Sequence, residues 1–341
     1  MSKRKGSSAR NGSKDGGVRL GYKLSSEERG PRELVRYARL AEENGFSFGL
    51  ISDHFHPWID RQGQSPFVWS VIGAIAQATK RLRLGTAVTC PTVRVHPAIV
   101  AQAAATAAVM MPGRFFLGVG TGENLNEHIV GQGWPETELR QARLVEAIHI
   151  IRRLWQGGFQ SYRGSYYTLE NARIYTLPPQ APPLMVAVGG SRSAEIAAEH
   201  GDGMIGTEPD KKLLREYRKK AGARQPCYGE LTVCWGKDEA KARQMARERW
   251  PIQAMDASLA WELPLPNHFE AVAELVTEDA MAESMVCGPD PKEHLDALEE
   301  YADAGYDHVC VHQVGPDQAG FMQFYKAQVF PRLNAGRKKA A

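Results

Sequence analysis

An acid and an imidazole stand side by side at Asp53-His54, directly behind the apolar run Gly49-Leu50-Ile51, and His56 and Trp58 follow at once. An imidazole titrates near neutrality, so His54 has the chemistry of a general base toward a hydroxyl. An adjoining carboxylate can orient such a ring. A second carboxylate, Glu123, sits in the glycine-rich stretch GVGTGENLNE beside Thr121, Gly122 and Asn126. A third polar cluster, Gly189-Gly190-Ser191, follows Ala187-Val188 and opens a helical pattern. Free backbone amides at such a helix start attract an anion, phosphate for instance. Cys90 lies just beyond Ala87-Val88, and His312 falls in the last apolar run. Each residue also has a plainer role: a strand-terminal Asp caps the next segment, His56 and His312 pack, Trp58 is either core or a substrate wall, and GVGTGE is a turn.

What must position these residues is a series of short apolar runs. Candidate strands begin at Val18, Phe48, Leu82, Arg114, Leu184, Asp202, Gly229 and His308. Helical patterns separate them, such as PRELVRYARLAEENG, which Gly45 closes as a C-cap. Strands alternating with helices imply a parallel sheet covered on both faces. The first strand exits into KLSSEERGPREL, which lacks the GxGxxG of an open dinucleotide-binding sheet. The expected fold is therefore an α/β (β/α)8 TIM barrel over residues 18–334. Insertions are expected after strand 4 (a hairpin from Phe159) and after strand 7 (a helical excursion from Pro251). Barrel strands all end at one mouth, so the polar clusters should meet there.

The 341 residues are 43% hydrophobic, enough for a large core. A net charge of +3 is too near balance to imply a nucleic-acid partner. No apolar run reaches the roughly 18 residues of a membrane span. The five cysteines are scattered without a CxxC pair, so neither a metal site nor a disulfide framework is expected, and the composition points to a reducing cytoplasm. Residues 1–17 read as a disordered basic tail with no secretory h-region, and 335–341 as a basic C-terminal tail.

The stretches GLISDHFHPW, RLRLGTAVTCPTVRVHPAIVAQAAATAAVM, GRFFLGVGTGENLNE, RLVEAIHIIRRLW and VAVGGSRSAEIAAEHGDGMI together resemble the luciferase-like superfamily. More narrowly, they resemble its coenzyme F420-dependent glucose-6-phosphate dehydrogenase-type oxidoreductases. The resemblance implies a TIM barrel, a homodimer, and a deazaflavin held at the strand ends. It implies that Asp53, His54, Trp58 and Glu123 surround the reacting centre. It implies a non-prolyl cis peptide at Ala87-Val88 behind the deazaflavin ring. Further cofactor contacts map onto Cys90, Thr121, Gly122, Asn126, Ala187, Val188, Gly189 and Gly190. Cys90 stands where the family commonly has Thr, and a thiol is a poorer hydrogen-bond partner. The implied chemistry is hydride transfer from a carbinol carbon to C5 of the deazaflavin. His54 is then the expected base, Asp53 orients it or binds the cofactor, and Glu123 serves N1 of the reduced ring. Trp58 stabilises charge or packs on the substrate.

Sugar-phosphate members of that family grip the phosphate with two lysines and an arginine. Here Lys211 or Lys212 supplies one cation, but no Lys or Arg occurs between Trp250 and Pro291. The matching positions are Ala271 and Ser284, among Glu270, Glu274, Glu278, Asp279 and Glu283. The expected substrate is a non-phosphorylated sugar or secondary alcohol, bounded by Trp58, Lys211, Trp261 and His312. The alternatives are a glucose-6-phosphate dehydrogenase proper, an FMN-dependent luciferase-like monooxygenase or reductase, and a non-catalytic deazaflavin-binding protein.

Overall fold

The computed structural model describes residues 18–333, and both expected tails lie outside them. Eight short parallel strands close into a ring. They are β1 (Arg19–Leu24), β2 (Phe48–Ile51), β3 (Arg83–Thr86), β4 (Phe115–Val119), β5 (Leu184–Ala187), β6 (Gly203–Gly206), β7 (Cys227–Cys234) and β8 (His308–Gln313). Each pairs with its sequence neighbours except that β8, having paired with β7, turns to β1 and seals the barrel. The strands are almost wholly buried because side chains pack on both faces of such a sheet.

The outer faces meet helices α1 (Pro31–Glu43), α2 (Val68–Ala78), α3 (Pro97–Met110), α4 (Thr137–Leu154), α5 (Ser191–His200) and α6 (Lys211–Ala221). In α1 the buried set is Leu34, Tyr37, Ala38 and Ala41, a helix-spaced stripe on one side. The barrel interior is filled by Phe48, Leu50, Phe116, Met185, Ile205, Tyr228 and Cys310, with Ala87 and Val88 packed on that plug. The plug explains two strand glycines. A Cβ on Gly85 would fall 2.1 Å from the Phe116 ring, and one on Gly21 would fall 2.3 Å from Phe48.

The two insertions have different placements. The hairpin of Gln160–Arg163 and Thr168–Ala172 does not follow strand β4 directly; it joins α4 to β5. It folds back along α4, where the amides of Ser165, Tyr166 and Tyr167 all donate to the Glu146 carboxylate. Tyr167 then donates its hydroxyl to the Thr92 carbonyl at 2.8 Å. The late insertion follows the helix Glu239–Arg249 and carries short helices at Ala257–Glu262, Pro266–Ala273 and Glu278–Ser284. It packs a satellite core of Trp250, Val276, Met281 and Met285 against Cys234 and Val314 at the barrel's rim. The Ala87-Val88 peptide bond is cis. Among the described residues, no helix is long and apolar enough to cross a membrane.

Candidate active site

A cavity of about 670 Å³ opens at the C-terminal ends of the strands. Ser52 and His54 enter it because β2 stops at Ile51 and the chain turns outward there. Trp58 forms a wall: its ring meets His54 edge-on at 5.1 Å and Phe269 of the late insertion at 5.4 Å. Gly120, Thr121, Gly122 and Glu123 come from the end of β4, and Ala187 through Ser193 from the end of β5. Ala87, Val88, Val186, Ala187 and Ile205 give these walls an apolar stretch. Trp261 also lines the cavity, 3.5 Å from where a Gly189 Cβ would stand.

The partner of His54 is a residue that the sequence did not suggest. Nδ1 faces the His56 carbonyl at 3.2 Å, an obligate acceptor, so that nitrogen carries a hydrogen. Nε2 faces Glu27 Oε1 at 3.3 Å. Glu27 is buried and receives the hydroxyls of Ser52 at 2.6 Å and Ser25 at 3.0 Å. Burial alone would raise its pKa. His54 when protonated, Lys23 and the Ser52 hydroxyl outweigh burial and hold the carboxyl at about 2. Lys23 in turn bonds Glu230 Oε2 at 2.7 Å on the cavity floor. Burial works against the Lys23 charge, but Glu230 and Glu27 more than restore it, so this ammonium stays protonated.

Asp53 is placed differently from the expectation. Its carboxylate points away from His54, accepting from Thr89 Oγ1 at 2.8 Å and from Arg94 Nη2 at 3.0 Å. Arg94 also reaches Glu127, through its backbone amide at 2.7 Å and Nε at 3.4 Å. Asp53 thus anchors the loop that carries His54 and does not line the cavity. Three more expected cofactor or substrate residues lie behind the wall. Cys90 bonds Thr92 at 3.1 Å, and its sulfur fills the space beneath Gly122, where a Cβ would come within 2.7 Å. Asn126 accepts from the Phe55 and His56 amides at 2.8 and 3.1 Å and donates to Glu123 at 3.2 Å. His312 is buried against Trp250 and meets Glu28 Oε2 at 3.0 Å. Lys211 is on the outer surface, 3.5 Å from Asp303. The Gly189 and Gly190 amides are taken by Ser193 Oγ at 3.1 Å each, so an anion at α5 would meet the next turn, Ser191 and Arg192.

The Asp53–Arg94–Glu127 cluster has a titration of its own. One buried guanidinium faces two carboxylates. Burial pushes Glu127 up to about 7 against the pull of Arg94, with Glu123 adding to the rise. The native state therefore keeps a proton on Glu127 that the unfolded chain gives up near 4.5. The stability this contributes is full below about 4.5 and is lost as pH rises through about 7. A Glu127→Gln variant should lose that slope. The stability difference between the two proteins should change by about 3 kcal/mol between pH 4.5 and 7.5, at about 1.4 kcal/mol per pKa unit. Denaturant titrations across that range provide the check, and parallel pH profiles would refute it.

The cavity's lining suits a flat ring, with apolar side chains of Ala87, Val88 and Ile205 along one stretch. The rim at Gly120, Gly122, Gly189 and Gly190 presents bare backbone, and a Cβ added at Gly190 would meet nothing within 4 Å. The model of the luciferase-like monooxygenase family matches residues 17–308. This chain belongs to the luciferase-like family. Its curated luciferase-like relatives include proteins named F420-dependent glucose-6-phosphate dehydrogenase. One from Nakamurella multipartita is 37% identical over 330 residues, covering 93% of this chain and 97% of its own. Another from Nocardia farcinica is 37% identical over 334 residues, covering 94% and 99%. A solved luciferase-like neighbour is an F420-dependent secondary alcohol dehydrogenase in complex with an F420-acetone adduct. It aligns with a TM-score of 0.86 at 30% identity, over 93% of this chain and 99% of that one. A tetrahydromethanopterin reductase from Methanopyrus kandleri, at 21% identity and a TM-score of 0.75, shares the fold.

Proposed function

We propose that this luciferase-like chain is a coenzyme F420-dependent dehydrogenase that oxidises a non-phosphorylated secondary alcohol or sugar at a carbinol carbon. The relatives' activities and the fit of the cavity support the deazaflavin. The observation that carries the substrate class is the charge on the cavity walls. Among the described residues, the cavity's cations are Lys23, Arg140 and Arg192, and each already has a carboxylate within 3.3 Å, namely Glu230, Glu262 and Glu195. Glu27, Glu123, Glu208 and Glu230 bring four carboxylates to the same walls. A phosphate dianion beside His54 would lose hydration without gaining a free cation, because Lys23, the cation at that end of the cavity, is already held by Glu230 at 2.7 Å. Trp58, Trp250, Met255 and Trp261 offer apolar faces instead.

Bound coenzyme F420 supplies a ring carbon that accepts hydride from the substrate's carbinol carbon. His54 takes the hydroxyl proton at Nε2, since Nδ1 is committed to the His56 carbonyl. The resulting imidazolium faces the ionised Glu27, which stabilises it by charge and holds the ring in place. Glu27 does the orienting expected of Asp53. The Glu123 carboxyl accepts from Asn126 Nδ2 at Oε2 and lines the cavity, so it would be the group placed to serve N1 of a bound ring. Trp58 shields His54 from water on one side. The chain acts in the cytoplasm as a homodimer, with a small-molecule partner and no nucleic acid.

Two measurements test this reading. Titration of the protein's fluorescence should show tighter binding of coenzyme F420 than of FMN or NADP. A panel of glucose, simple glycosides, small secondary alcohols and glucose 6-phosphate should then give the highest kcat/KM to a neutral substrate, by about tenfold or more over the phosphate ester, the worth of one missing charge-assisted contact. The names of the curated relatives favour glucose 6-phosphate as a second reading. That reading prevails if the phosphate ester leads the panel.

A further inference from the structure

Arg140, in the first turn of α4, is a cation whose donors are poorly served. Its side chain is 4% exposed, and it lines the cavity beside Thr137, Gln141 and the turn at Ser191. Nη1 donates to the Pro135 carbonyl at 2.7 Å and Nη2 to Thr137 Oγ1 at 3.1 Å. Both nitrogens also share one oxygen, Glu262 Oε1, at 3.4 and 3.3 Å, while Nε is buried with no partner. The guanidinium carbon stands 4.2 Å from the centroid of the Trp134 ring, over its face. A rigid fork with an idle buried donor and two long bonds to one oxygen has capacity for an anion that offers two oxygens. Its present partner is loosely held: Glu262 is 56% exposed and ends the short helix Ala257–Glu262.

We infer that Arg140 binds the acidic tail of the deazaflavin coenzyme, and that Glu262 occupies the guanidinium until the tail arrives. The inference rests on the coenzyme F420 reading given above. Ala87 and Val88 sit over the barrel's central plug, whereas α4 belongs to the outer layer. A ligand with its ring at the former and its tail directed outward to the latter passes Arg140. The tail carries a phosphodiester and then carboxylates, and both are two-oxygen acceptors. Exchange of Glu262 for either group keeps the guanidinium neutralised, so entry leaves no buried charge unpaired.

The test is a fluorescence titration of wild type, Glu262→Gln and Arg140→Gln with three probes. These are the ribityl deazaflavin without phosphate, the phospholactyl form without glutamate, and the full coenzyme. Glu262→Gln removes the competitor and should tighten the full coenzyme by about threefold, the scale of a half-exposed ion pair. Arg140→Gln should weaken it by about tenfold or more, one charge-assisted bond. Neither change should alter the ribityl compound. A loss that begins with the phospholactyl form places the phosphodiester on Arg140; a loss confined to the full coenzyme places a glutamate there. Equal weakening of all three probes by Arg140→Gln would make the residue a structural one and overturn the inference. So would an unchanged or weakened coenzyme affinity in Glu262→Gln, a variant at an exposed position that keeps Arg140 intact. Wild-type protein that bound none of the three would overturn the coenzyme reading itself, and this inference with it.

Discussion

Replacing His54 by alanine is expected to lower kcat by about 10²- to 10⁴-fold, the range that a positioned general base supplies. Coenzyme affinity should change far less, because the loop that carries His54 is anchored by other groups. Asp53, Arg94 and Asn126 hold that loop from behind, and none of their bonds passes through the imidazole. The variant keeps Glu27 beside Ser25, Ser52 and Lys23 but removes the imidazole that receives the hydroxyl proton. Single-turnover loss of oxidised deazaflavin absorbance measures the chemical step alone, and fluorescence titration measures binding. A variant that turned over within about threefold of wild type would remove His54 from the base role. A loss confined to affinity would do the same.

Arg94→Met should destabilise the fold by about 3–5 kcal/mol, the usual cost of removing one member of a buried ionic cluster. Methionine nearly fills the aliphatic volume, so the loss measures charge and hydrogen bonding more than packing. Asp53 would keep only the Thr89 hydroxyl, and Glu127 would lose both Nε and the charge that opposes its protonation. Arg94→Lys should recover only part of this, since an ammonium cannot reach two carboxylates with fixed, planar donors. Denaturant unfolding of the three proteins at pH 7 gives the comparison. A loss below about 1 kcal/mol for the methionine variant would mean that water replaces the guanidinium, and that the cluster is not dry.

The barrel was legible because each of its strands is a short apolar run between helical stretches, and parallel strands covered on both faces leave that signature. The mouth was legible for the same reason at His54, Trp58, Glu123 and Val188, which follow strand ends and line the cavity; Trp261 reaches it from the late insertion. Asp53 was misplaced because adjacency in sequence says nothing about direction: successive side chains leaving a strand point to opposite sides, so His54 enters the cavity and Asp53 turns toward Arg94. Glu27 was overlooked because SSEERG reads as an ordinary polar approach to α1. A signal for its network was nevertheless present. Lys23 is the buried charge of β1 and Glu230 the single charge of β7, and a buried charge requires a partner of opposite sign. Pairing them would have drawn attention to the ends of β1 and β7. Lys211 failed for a different reason: the first residue of a helix after a barrel strand can face either the mouth or the neighbouring helix, and here it meets Asp303.

The hairpin between α4 and β5 contributes no residue to the cavity walls, yet its Tyr167 hydroxyl holds the Thr92 carbonyl, and Thr92 holds Cys90 beneath Gly122. A chain trimmed of this hairpin alone would retain every residue that lines the cavity and lose the outside support of the loop that shapes the rim. The smallest working version of this molecule is therefore larger than its barrel. A designer transplanting the site to another (β/α)8 scaffold would need to carry a buttress from the outer wall along with it.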